Sequence, residues 1–116
     1  MKFIYYPKCS TCKKALDFLN NNNIKCELRD IKESRPTKEE ISKWSKDNNI
    51  DIQKFFNTSG LLYRNNNLSV KTKTMNDNEK LDLLSSDGMM VKRPILITDD
   101  NKVILGFKIE EYKKLI

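Results

Sequence analysis

The sequence predicts an α/β domain: a four-stranded mixed sheet with a helical insertion between its two halves. Three observations predict it. A contiguous apolar run, a helix-spaced segment and an alternating segment follow one another at the N-terminus. The middle of the chain carries helix caps and no strand-like alternation. Two short apolar runs separated by a turn-like tetrapeptide lie near the C-terminus.

The N-terminal run is Lys2 to Tyr6, a short buried strand with Phe3, Ile4, Tyr5 and Tyr6 in succession. Ser10 to Asn22 reads as a helix with Ala15, Leu16, Phe18 and Leu19 at helical spacing. The run Asn20-Asn21-Asn22-Asn23 ends it, because Asn is a poor helix former that tolerates a left-handed cap. Ile24 to Arg29 alternates apolar and polar, a half-buried strand with Ile24, Cys26 and Leu28 on its apolar face. Cys26 is therefore read as core, the slowest of the thiols to react. Strand, helix and strand in immediate succession imply parallel strands and a right-handed crossover.

In the middle, Pro36 precedes Thr37-Lys38-Glu39-Glu40, the pattern of a capping box. The helix it opens carries Ile41 and Trp44 and fades at Asn48-Asn49. Asp51 is placed to cap a short helix through Phe55-Phe56, broken by Asn57-Thr58-Ser59-Gly60. Leu61 to Leu68 fits neither period. Thr74-Met75-Asn76-Asp77 resembles another cap, and the helix after it, with Leu81, Leu83 and Leu84, stops near Asp87-Gly88. Residues 37–86 thus read as a helical insertion within a single domain spanning 1–116.

Near the C-terminus, Ile95-Leu96-Ile97-Thr98 and Val103-Ile104-Leu105 flank the turn Asp99 to Lys102, an antiparallel hairpin. Ile109 to Leu115 closes the chain as a short helix, with Glu110 and Glu111 in its first turn and Lys113 and Lys114 in its last, as the helix dipole favours. A cysteine pair after the first strand and a proline before the third complete a thioredoxin-like (glutaredoxin-like) layout. Pro94 lacks an N–H and is able to take the cis form, which would turn that loop toward the thiols.

Composition narrows the function. Hydrophobic residues at 38% suffice for one modest core, and three glycines and three prolines argue against disorder and against a many-turned all-β fold. The N-terminus lacks the pattern of an export signal, and no stretch is long enough to span a bilayer. Three cysteines without an export signal point to a reducing cytoplasm. The net charge of +6 favours anionic substrates or an acidic partner, unless it only reflects a genome-wide residue bias. The lysines are interleaved with acids, which does not read as a nucleic-acid surface.

The chemistry concentrates in Cys9-Ser10-Thr11-Cys12. Cys9 falls at the start of a helix, where unpaired backbone N–H groups and the positive end of the dipole favour an anion. Lys8, Lys13 and Lys14 add positive charge nearby. Together these lower the pKa of Cys9 and make it a nucleophile, while Cys12, one turn in, suits the resolving role. Half a zinc site is a competing reading, but it needs two more ligands, and the chain offers only Cys26 and no histidine. An inert pair of core cysteines is another. No metal or cofactor is expected.

YPKCSTCKKA, KFFNTSG, SSDGMMVKRP and GFK are spread over nearly the whole chain. They resemble the arsenate reductase (ArsC)/Spx/MgsR family, most of all its Spx/MgsR-like branch. The resemblance implies a thioredoxin-like fold with a helical insertion. It matches Cys9 to the cysteine that attacks arsenate, whose arsenic adduct glutathione and glutaredoxin then reduce. Arg93 matches one of three arginines that hold the oxyanion. The other two fall near Asn57 and Phe107, so arsenate reduction itself is expected to be weak. Lys8, Ser10, Thr11 and Pro94 would surround the anion. Cys12 points to an intramolecular disulfide.

Spx, in the same family, is a transcriptional regulator that binds the α-subunit of RNA polymerase. The loop matching its contact glycine is Asn48-Asn49-Ile50-Asp51, without glycine, and the sequence ends where Spx has an extension. Two functions therefore stand side by side. One is a thiol–disulfide oxidoreductase supplied by glutathione, glutaredoxin, thioredoxin or another small thiol. The other is a redox switch that binds RNA polymerase.

Overall fold

The computed structural model describes residues 1–116, which divide into two compact units. One unit joins Met1–Ile31 with Arg93–Ile116; the other is Lys32–Lys92.

The first unit holds the sheet. Its strands are β1 (Lys2–Tyr5), β2 (Glu27–Asp30), β3 (Ile95–Ile97) and β4 (Val103–Leu105), in the order β2-β1-β3-β4. β1 pairs with β2 in parallel and with β3 antiparallel, and β3–β4 is the expected hairpin. The register aligns Phe3, Leu96 and Ile104 in one row. Period-two alternation puts that row on one face, and helices α1 (Ser10–Asn21) and α6 (Ile109–Lys113) supply Ala15, Leu19 and Tyr112 to the same buried cluster. Burying each large apolar side chain of this cluster contributes about 1.5–3 kcal/mol, which is what fixes α1 on the sheet.

α1 ends in a Schellman motif. Asn23 takes φ 59°, its N–H donates to the Asn20 carbonyl (3.1 Å), and the Ile24 N–H donates to the Leu19 carbonyl (2.9 Å). Every non-glycine residue with positive φ is an asparagine: Asn23, Asn49, Asn67 and Asn101. Asn pays little for the left-handed region, so the Asn-rich composition supplies the turns that a chain with three glycines otherwise lacks.

One strand expectation is corrected. Ile24 to Cys26 lies ahead of β2, because Ile24 is spent on closing the helix cap. Ile24 and Cys26 still pack, half-buried, on the core cluster. Leu28 does not share a buried face with them: it is 50% exposed. It stands in register with Phe3, but β2 is the edge of the sheet and has no strand on its outer side to cover it.

The second unit contains α2 (Lys38–Asn48), α3 (Leu61–Asn65), α4 (Leu68–Lys71) and α5 (Asp77–Ser86), with 3-10 turns at Ile52–Phe55, Thr72–Thr74 and Gly88–Met90. Both capping boxes form. Thr37 Oγ1 accepts from the Glu40 N–H (3.1 Å) while Glu40 Oε1 accepts from the Thr37 N–H (3.0 Å). Asn76 and Glu79 repeat the exchange at 2.8 and 3.2 Å. Asp51 caps its turn through the Gln53 N–H (2.9 Å). Ile41, Phe55, Leu84 and Val91 are fully buried in this unit. Its extended pairing amounts to an isolated bridge, Phe56 with Val91.

Candidate functional site: a thiol pair with an arginine

Cys9 is the N-cap of α1, in extended conformation (φ −90°, ψ 123°). Its N–H donates to the Tyr6 carbonyl and its carbonyl accepts from the Lys13 N–H, both at 3.0 Å. The backbone on each side of the cysteine is thereby held. The first turn of α1 contains no acidic residue, so nothing offsets the positive end of the helix. Cys12, three positions on, is fully buried with Ala15 and Leu19 on the packed face. Cys9 and Cys26 are half-buried, and all three thiols are free.

The two thiols of the pair are driven apart in acidity. Burial pushes Cys9 up, but hydrogen bonds from the Cys12 backbone and thiol, and the hydrogen bond and charge of Arg93, together outweigh it. The net result is a Cys9 below the ordinary thiol value. Cys12 is pushed up to about 12, first by burial and then by its hydrogen bond to Cys9 and the Cys9 charge. Cys26 is also raised, chiefly by burial.

Arg93 enters this site from the residue before β3. The Arg93–Pro94 peptide bond is cis, Pro94 is buried, and the Pro94 carbonyl accepts from the Gly106 N–H (2.8 Å). Gly106 has φ 75°, a conformation that favours glycine. Arg93 Nε and Nη1 are buried without a hydrogen-bond partner. The Arg93 side chain hydrogen-bonds Cys9. The guanidinium lies 5.3 Å from the centroid of the Tyr6 ring.

The other expected contributors are less involved. Lys8, Ser10 and Thr11 sit beside Cys9 in the chain with exposed side chains, as do Lys13 and Lys14. The guanidinium, rather than these lysines, supplies the charge that acts on Cys9. Phe107 stands where one anion-holding arginine was expected. Its ring packs against Tyr112 (4.8 Å, edge-on) and Phe18 (6.0 Å), so an aromatic cluster occupies that place. Asn57, at the other expected position, is tied to the 3-10 turn Gly88–Met90 by its N–H, which donates to the Met90 carbonyl (2.9 Å). No group of three or more acidic or cysteine side chains is placed to hold a metal ion. No helix is long and apolar enough to cross a membrane.

Tyr6 is the participant that sequence reasoning missed. It had been assigned to the first strand, whereas β1 ends at Tyr5 and Tyr6 turns into the site. Its carbonyl accepts from Cys9, its backbone bonds to Cys12, and its ring faces Arg93. Nothing in residue spacing marks such a residue, since its partner Arg93 is far away in sequence.

The comparisons agree with this geometry. The model of the ArsC family matches residues 4–115. YusI of Bacillus subtilis is 43% identical, over 98% of this chain and 96% of its own length. The regulatory protein MgsR of Bacillus subtilis is 30% identical, over 99% of this chain and 89% of its own. The crystal structure of an ArsC-family-related protein from Bacteroides fragilis superposes with a TM-score of 0.93 at 44% identity, covering 100% of this chain and 98% of that one. The mixed sheet and the helices between its halves are therefore those of a known architecture, and this chain belongs to the ArsC family.

Proposed function

We propose that the chain is a thiol–disulfide redox protein in which Cys9 is the nucleophile, Cys12 the resolving thiol and Arg93 the group that stabilises the Cys9 thiolate. The observation that carries this reading is the split in acidity between two thiols one helical turn apart: Cys9 is lowered, Cys12 raised to about 12. A nucleophile has to be a thiolate at rest, whereas a resolving thiol has to stay protonated until it is needed.

In the first step the Cys9 thiolate attacks a substrate disulfide R–S–S–R′. A Cys9–S–S–R bond forms and R′S⁻ leaves. In the second step Cys12 gives up its proton to solvent and attacks the Cys9 sulfur. The Cys9–Cys12 bond forms, RS⁻ leaves, and two electrons have passed from the pair to the substrate. A second dithiol, or two molecules of glutathione, returns those electrons. Glutathione, glutaredoxin, thioredoxin or another small thiol fits the donor role, in a reducing cytoplasm. In this reading Lys8, Ser10, Thr11 and Pro94 are the residues that surround the bound anion or substrate.

Arsenate is a poor substrate in this reading. One guanidinium instead of three forfeits charge-assisted hydrogen bonds worth about 1.5–3 kcal/mol each, a loss of roughly 10²-fold or more for two. We expect feeble or absent arsenate reduction with glutathione and glutaredoxin. Robust turnover would contradict this and would require Arg64 or Lys108 to take over.

A second reading is favoured by the likeness to MgsR, a regulatory protein. The same disulfide would then alter a binding surface, with RNA polymerase as partner, rather than cycle. Turnover separates the two. Repeated reduction of a disulfide such as oxidised glutathione, with a thiol donor supplied, supports the enzyme. A single round of oxidation that changes affinity for the polymerase α-subunit supports the switch.

A further inference from the structure

Arg93 poses a problem of positioning. Its guanidinium supports Cys9 only while it stays close to the sulfur, yet the usual anchors are missing. None of the ion pairs in the chain involves it, and its Nε and Nη1 donate to no protein group. Its side chain is half-buried, and the buried guanidinium nitrogens Nε and Nη1 have no hydrogen bond to fix their orientation. The contact defined on it is the face of the Tyr6 ring, 5.3 Å from the guanidinium carbon. That lies within the range at which an aromatic quadrupole attracts a cation.

Resting on the proposed role of Arg93, we infer that Tyr6 is a positioning residue, whose ring holds the guanidinium at Cys9 while leaving its charge and its N–H donors uncommitted. A carboxylate in that place would also hold Arg93, but it would neutralise the charge and occupy the fork. An aromatic face attracts the cation without accepting its N–H groups. The two buried, unpartnered nitrogens are what this arrangement leaves behind. The backbone of Tyr6 reinforces it. The Tyr6 carbonyl accepts from the Cys9 N–H at 3.0 Å, so one residue fixes the cysteine through its main chain and the arginine through its ring. The rigid turn into α1 keeps the two in step.

The test is the pH dependence of Cys9 alkylation by iodoacetamide in single and double variants. Tyr6→Phe keeps the ring face and is expected to leave the profile unchanged. Tyr6→Leu is expected to raise the Cys9 midpoint by about half a pH unit and to slow alkylation at pH 7 about threefold. In an Arg93→Ala background the same Tyr6→Leu change should do nothing, because the ring then has no cation to hold. Pentafluorophenylalanine at position 6 preserves the shape and removes the negative face, so it should behave like Leu even if Tyr6→Leu folds poorly. An Arg93→Ala shift without any effect of Tyr6→Leu or the fluorinated ring would overturn the inference and leave the role of Arg93 standing. No shift in Arg93→Ala would remove that role and the inference together. An equal Tyr6→Leu effect with and without Arg93 would reassign Tyr6 to packing and overturn the inference.

Discussion

Cys12→Ala is expected to stop the reaction halfway. Cys9 still attacks oxidised glutathione in this variant, but the mixed disulfide has no internal thiol to resolve it and accumulates. The wild-type chain passes on to the Cys9–Cys12 disulfide. Intramolecular attack across one helical turn works at an effective concentration far above that of millimolar external thiols, so turnover should fall by at least ~100-fold. Alanine is the better replacement, because position 12 is fully buried and a serine hydroxyl there would be an unsatisfied polar group. Mass spectrometry of the oxidised variant should find one glutathione on Cys9. A new disulfide between Cys9 and Cys26, with turnover retained, would give Cys26 the resolving role and refute the assignment.

Arg93→Ala has the second-largest expected effect. The guanidinium favours the charged form of Cys9, so removing it raises the Cys9 pKa. At pH values below the Cys9 pKa, a rise of about one unit cuts the thiolate fraction up to tenfold, and alkylation slows in proportion. The sign reverses nothing at high pH: above the pKa of both proteins the thiol is fully ionised and the rates converge. Arg93→Lys should recover part of the effect, since it restores the charge but not the planar fork. Superimposable pH profiles for wild type and Arg93→Ala would take Arg93 out of the site.

How far the sequence discloses all this depends on the kind of interaction involved. Thr37 with Glu40, Asn76 with Glu79, and Asp51 with Gln53 are exchanges within a few residues; the first and third form where expected, and the second forms two residues beyond Thr74, with Asn76 as the cap. The hairpin of β3 and β4 is equally local. Its turn is closed by the Thr98 N–H on the Lys102 carbonyl (2.9 Å) and by Asn101 at φ 63°. The alternation of Ile24, Cys26 and Leu28 misled because alternation cannot reveal which strand lies at the edge. Leu28 is exposed through sheet order, not through its own sequence. Leu61 to Leu68 fits no period because α3 stops at Asn65 and α4 starts only at Leu68, with Asn67 between them in the left-handed region.

The site divides in the same way. Cys9 and Cys12 are legible because a helix start and a two-residue spacing define their chemistry locally. Arg93 is legible only through its resemblance to a family motif, since it is far from Cys9 in sequence, whereas Pro94 is also marked by its place before the third strand. The charge that acts on Cys9 comes from Arg93 and not from the neighbouring lysines. Charges on exposed, flexible stems beside a cysteine are screened by solvent, whereas one half-buried guanidinium acts at short range. Phe107 reverses the chemistry expected at its position, because Phe18 and Tyr112 had already built an aromatic cluster there.

The central claim is that Cys9 and Cys12 form a redox pair split in acidity, with Cys26 outside it. The most direct measurement is site-resolved alkylation of the reduced protein from pH 5 to pH 10, each thiol quantified by peptide mass. Cys9 is expected to react fastest at pH 7 and to titrate below the ordinary thiol range. Cys12 should stay largely protonated and unreactive throughout, and Cys26 should be slow because burial raises its pKa. Cys26 reacting as fast as Cys9, or Cys9 and Cys12 titrating together at the ordinary thiol value, would contradict it.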